Sequence, residues 1–152
     1  MNASVHFSSL LAVIALGLMA GALVAEGAIL VPFWRSLTPE GFLNWYKQHA
    51  ALLQNFFGPL EITASMLALI AAALSWFNES AGHQLLAASA ALSMAVLAVF
   101  PLYFRRANTS FRTGGNALEC VGKELHRWSI WHWFRTIIAV AGFVTVTAAL
   151  AA

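Results

Sequence analysis

Apolar positions run almost unbroken through four stretches of the chain: about Val5 to Val31, Leu60 to Phe77, Leu85 to Phe104 and Trp128 to Ala151. Crossing ~30 Å of hydrocarbon takes ~20 residues of helix, and each stretch approaches or exceeds that length. Lipid offers the backbone no hydrogen-bond partners, so such segments satisfy their own peptide groups as helices. The pattern predicts an all-α protein, an integral membrane four-helix bundle that forms one domain.

Between the first two stretches the periodicity changes. Leu37-Thr38-Pro39 reads as a helix start, because Thr38 can cap and Pro39 suits the first helical position. From 39 to 57, Phe42, Trp45, Ala50, Leu53 and Phe57 alternate with Asn44, Lys47, Gln48 and Gln54. This is an additional amphipathic helix, lying at the interface or forming an outer extension of the second span. Gly58-Pro59 is expected to break or kink it. Asn78 to Gly82 reads as a short turn, and Arg105 to Lys123 as a longer connection whose flexible point is Gly114-Gly115-Asn116. The cluster Ala20-Gly21-Ala22 is like a leader-peptide cleavage site, but the apolar run is too long for one and no Lys or Arg precedes it. The first stretch is therefore expected to be a retained helix.

Composition agrees with this picture. The 152 residues are 61% hydrophobic and 9% charged, against about a quarter charged in a soluble domain. The lone cysteine, Cys120, excludes an intrachain disulfide and a cysteine-rich zinc site. No nucleic-acid motif or basic arm is present, so the expected partner is the lipid bilayer.

Charge placement adds orientation. Arg35 and Lys47 lie between spans one and two; Arg105, Arg106, Arg112, Lys123 and Arg127 lie between spans three and four; Arg135 is inside span four. These are all eight basic residues, and the segments at the other end have none. The positive-inside rule then places the two basic connections in the cytoplasm and both termini outside, with a bacterial inner membrane as the expected location. Trp34, Trp45, Trp128, Trp131 and Trp133 gather at the basic end and Trp76 at the other, as in an aromatic belt. Trp128 and Trp131 share a helix face and Trp133 opposes them, so some of these rings face the interior.

Ionisable side chains inside a span are costly, about 2.5–3.5 kcal/mol for a charge at mid-helix, and are candidates for function. Glu26 follows some twenty apolar residues, and Arg135 lies eight residues beyond Arg127, about 12 Å deeper. The two sit at comparable depth and are expected to pair. His132 is one turn before Arg135, with Trp128 on the same side. Two readings are open for this group: a tie between helices, or a reactive site. Glu61, two residues after Pro59, would suit a helix start through the helix dipole. His49, His126, His132, Glu26 and Glu61 are metal-ligand types near one end. None, however, forms an H-x-x-x-H or E-x-x-H pair, so no metal or haem is expected.

Three groups of residues together resemble the anthrone oxygenase family of small four-span membrane proteins. They are Leu23-Val24-Ala25-Glu26, then Phe100-Pro101 followed by Arg105-Arg106-Ala107-Asn108, and Leu125-His126-Arg127-Trp128 with Trp131-His132-Trp133-Phe134-Arg135-Thr136. Asn108 stands farther from Pro101 than the family's asparagine does. The resemblance implies a membrane oxidoreductase that uses molecular oxygen, without a required cofactor, on a lipophilic aromatic or quinonoid small molecule in a cytoplasmic-leaflet pocket. His132 or Glu26 would be the base and Arg135 the oxyanion stabiliser. Trp128 and Trp131 would stack on the substrate, with Glu61 and Asn108 beside it. The competing expectation is a non-catalytic bundle: an accessory subunit of a membrane complex, or a small-molecule binder or transporter. Its alanine strips, Ala71-Ala72-Ala73 and Ala87-Ala88-Ser89-Ala90-Ala91, would pack against partner helices or a second copy.

Overall fold

The computed structural model describes residues 3–115 and 117–152, so Asn116 of the expected flexible point lies outside the described residues. Among the described residues, four helices, each long and apolar enough to cross a membrane, make up the bundle: α1 (Ala3–Ser36), α2 (Pro39–Phe77), α3 (His83–Thr113) and α4 (Leu118–Ala151). The chain is an all-α integral membrane protein. α1 packs on α2 and α4, and α3 packs on the same two, which closes a ring of four. Gly17 faces Phe143 and Gly27 faces His132, so α1 and α4 run antiparallel and both ends of the chain lie at the same end of the bundle.

The predicted start of α2 is present: Thr38 is extended and its side chain accepts from the Gly41 amide at 3.1 Å. The expected break at Gly58-Pro59 is absent, and α2 continues through it for 39 residues in all. Proline removes one intrahelical hydrogen bond, a loss that packing on neighbouring helices absorbs in membrane bundles. The amphipathic segment is therefore an outer extension of the second span. At 1.5 Å per residue, α2 is about 58 Å long, roughly twice the hydrocarbon thickness.

Arg105 to Lys123 also differs from expectation. α3 continues to Thr113, Gly114 in the left-handed region (φ 68°) ends it, and α4 begins at Leu118. The other turn, after α2, is pinned by Gly82 (φ 75°), where a Cβ would lie 2.8 Å from the Ala149 carbonyl oxygen.

Two cores divide the bundle along its length. Toward the termini the interior is built of small and aliphatic side chains, including Ala12, Leu16, Ala64, Ala68, Ala90 and Val146. Small residues let helices approach closely where lipid supplies no hydrophobic drive between them. Ser65 donates to the Ser93 carbonyl at 3.2 Å and Ser89 to the Gly142 carbonyl at 2.8 Å, which bonds α2 to α3 and α3 to α4. Toward the basic end the interior turns aromatic, with Trp34, Phe42, Tyr46, Phe104, Phe111 and Trp128. Trp34 and Trp128 meet edge to face at 5.3 Å, and Phe42 and Phe111 at 5.0 Å.

α1 and α3 each widen into one π-helical turn, at Glu26–Leu30 and Phe100–Phe104. A π turn inserts one extra residue and re-aims the side chains around it, and such turns are frequent at functional sites. Here the first contains Glu26 and the second contains Phe104, and both residues belong to one cluster.

Candidate functional site

Four ionisable side chains from three helices meet within the bundle. Arg135 of α4 donates through Nη2 to Glu26 Oε2 of α1 at 3.0 Å and through Nη1 to Glu61 Oε1 of α2 at 3.1 Å. Its guanidinium lies over the Phe104 ring of α3, 4.2 Å from the centroid. Both glutamates are 4% exposed and Arg135 is 5% exposed. The Glu26–Arg135 pair is thus formed as its depth implied. Glu61 does not sit at a helix start, because α2 is unbroken at Pro59; it is the second ligand of the guanidinium.

His132 stands behind this bridge. Its Nε2–H donates to the Leu23 carbonyl at 2.9 Å, which leaves Nδ1 as an acceptor facing Arg135 Nε at 3.4 Å and Nη2 at 3.3 Å. Nδ1 is also 3.5 Å from Glu26 Oε2. Trp128 stacks on the imidazole, 5.0 Å between centroids and 6° between planes. Gly27 permits this approach: a Cβ there would be 3.0 Å from His132 Nε2 and from Trp133 Cζ2.

A cavity of about 180 Å³ opens onto the cluster between α2 and α3. Glu26, Glu61 and Arg135 form its polar end; Tyr46, Phe57, Phe100 and Trp128 are among its aromatic walls. Asn108 also lines it, held by accepting from Trp128 Nε1 at 2.8 Å. Five of the seven candidate residues, Glu26, Glu61, Asn108, Trp128 and Arg135, therefore line one cavity.

Two candidates lie elsewhere. His132 is fully buried and does not line the cavity, since both ring nitrogens are engaged in the protein. Trp131, expected to stack on a substrate with Trp128, instead stacks on Tyr103 at 5.2 Å and faces a separate recess with Glu124 and Arg127. Three residues fall about 60° short of a full turn, enough to send Trp128 inward and Trp131 sideways.

Tyr46, Leu53 and Phe57 line the cavity as well, beyond the candidates expected from the sequence. Their signal is readable once α2 is taken as unbroken: positions 42, 46, 50, 53, 57 and 61 recur every three or four residues. One face of α2 thus leads from the aromatic core to Glu61. Among the described residues, no three His, Cys, Asp or Glu side chains are grouped to hold a metal ion, and Arg135 occupies the position between the carboxylates. The chain matches no protein-family profile, and no curated protein and no solved structure shows significant similarity to it.

Proposed function

We propose that this protein is a membrane oxidoreductase of the oxygenase type, acting on a flat lipophilic aromatic or quinonoid molecule in the cavity beside Arg135. The observation that supports it most is the pairing of two buried carboxylates with one guanidinium at the end of an aromatic-walled pocket. An engineered apolar cavity of about 150 Å³ binds benzene, so about 180 Å³ takes a reacting ring, with the rest of the molecule in the opening toward the mouth.

The chemistry follows from the charges. Two carboxylates against one guanidinium leave one formal negative charge, which a single proton cancels. Each glutamate gives one oxygen to Arg135, leaving the other free to take a proton from an acidic ring carbon or phenol. For an anthrone, loss of that proton gives a carbanion whose oxygen bears charge as an enolate, and Arg135 is the nearest cation to stabilise it. The carbanion passes its electrons to molecular oxygen, forming a C–O bond to a hydroperoxide. Loss of the remaining C–H proton with cleavage of the O–O bond then gives the quinone and one water. His132 does not touch substrate in this scheme; it positions Arg135 from behind. The basic end faces the cytoplasm of a bacterial inner membrane and the termini face outward, as the distribution of Lys and Arg supports.

Oxygen uptake by purified protein with an anthrone or a naphthohydroquinone, corrected for uptake without protein, tests the reading. Turnover is expected, and Glu61→Gln or Glu26→Gln should lower it by a factor on the order of 10²–10⁴. Uptake no faster than the protein-free rate with every such substrate would reject the oxygenase and favour a binding or accessory role.

A further inference from the structure

The cavity has a second, outer part. A recess between α2 and α3 shares Tyr46, Ala50, Gln54, Phe100 and Asn108 with it and continues outward to Lys47, Arg105 and Arg112. No acidic residue is among those lining this recess. Two other basic residues at this end are engaged: Arg127 pairs with Glu124 at 2.7 Å, and Arg35 meets His126 Nδ1 at 2.6 Å. Among the described residues, Lys47, Arg105 and Arg112 form no ion pair, and Glu40, which lines an adjoining recess with Lys47 and Arg112, leaves the group with a net positive charge. Three like charges brought to one mouth by two helices repel one another, and an anion relieves that repulsion.

We infer that the mouth is an oxyanion site and that the ligand of the cavity bears a carboxylate, sulfate or phosphate at the end remote from its reacting ring. This rests on the reading of the inner cavity as an aromatic site. The spacing sets the ligand's length. Lys47, the charged residue of the mouth on α2, precedes Glu61 by 14 residues, about 21 Å along the helix. The long lysine stem and the glutamate side chain take up part of that distance from either end. A ligand of two or three fused rings spans the remainder, so the ligand is a bicyclic or tricyclic aromatic acid whose anionic end stays at the interface while the ring enters the bundle. An anionic lipid headgroup offers the mouth the same chemistry, and the test separates the two.

Full-length protein in phosphatidylcholine nanodiscs is titrated with 2-naphthol and with 6-hydroxy-2-naphthoic acid, following tryptophan fluorescence. The acid is expected to bind about tenfold more tightly, the sum of three partly exposed charge contacts. That ratio should fall toward one as salt rises, and also in a Lys47→Gln, Arg105→Gln, Arg112→Gln variant whose melting temperature is checked alongside. Equal affinities in the wild type, or a ratio that survives in the triple variant, overturn the assignment. Loss of the acid's advantage in nanodiscs containing phosphatidylglycerol assigns the mouth to a lipid headgroup and overturns the ligand assignment. Binding of neither naphthol rejects the aromatic cavity itself, and this proposal with it.

Discussion

Replacing Arg135 with alanine removes the one side chain that holds both buried glutamates. The two charge-assisted bonds at 3.0 and 3.1 Å would each be worth about 1.5–3 kcal/mol, and the carboxylates left behind are almost wholly out of solvent. Breaking a buried pair from one side typically costs about 3–5 kcal/mol. For a protein of this size, 1 kcal/mol corresponds to roughly 2–4 °C in melting temperature, so a fall of about 6–20 °C is expected. Tryptophan-detected melting in detergent measures it. Adding Glu61→Gln should recover about 1–3 kcal/mol by removing one stranded charge, and adding Glu26→Gln should recover most of the remainder. The double-variant cycle isolates that coupling from the packing lost over Phe104. A fall below about 3 °C would mean that water in the cavity, not Arg135, satisfies the carboxylates. If Arg135→Ala and Arg135→Ala with Glu61→Gln melt alike, stranded charge is not the cause of the loss.

Gly27→Ala should destabilise by about 1–3 kcal/mol through overpacking, since its methyl group would press on His132 and Trp133 at 3.0 Å; unchanged melting would show that α1 shifts freely. Topology is tested with a membrane-impermeant maleimide on intact cells. A cysteine at exposed Ala81, in the turn after α2, should be labelled, whereas native Cys120, exposed at the basic end, should react only after permeabilisation. Labelling of Cys120 in intact cells would invert the orientation.

What the chain determines by itself is the membrane and the depth of its charges. Hydropathy and the length of the apolar runs are local properties, and lipid leaves helices as the only answer for them. Glu26 and Arg135 could be matched across 109 residues because rise per residue converts sequence position into depth on any straight span. Thr38 capping is equally local.

Rotation and continuity were decided only by packing. Gly58-Pro59 looks like a stop in isolation, yet α2 stays helical through it among its neighbours, and that continuity brings Glu61 to the guanidinium rather than to a helix start. Arg105 to Thr113 is polar enough to read as a loop, but Ala107 and Phe111 on one side of it are buried in the aromatic core, so it stays helical. The π turns at Glu26–Leu30 and Phe100–Phe104 shift the side-chain register by a residue, which a uniform 3.6-residue period does not reveal. For the same reason composition and spacing could put His132 beside Arg135 but could not tell which faces the cavity. That follows from Gly27, where the absent Cβ lets α1 close over the imidazole and leaves the guanidinium and the two carboxylates at the wall.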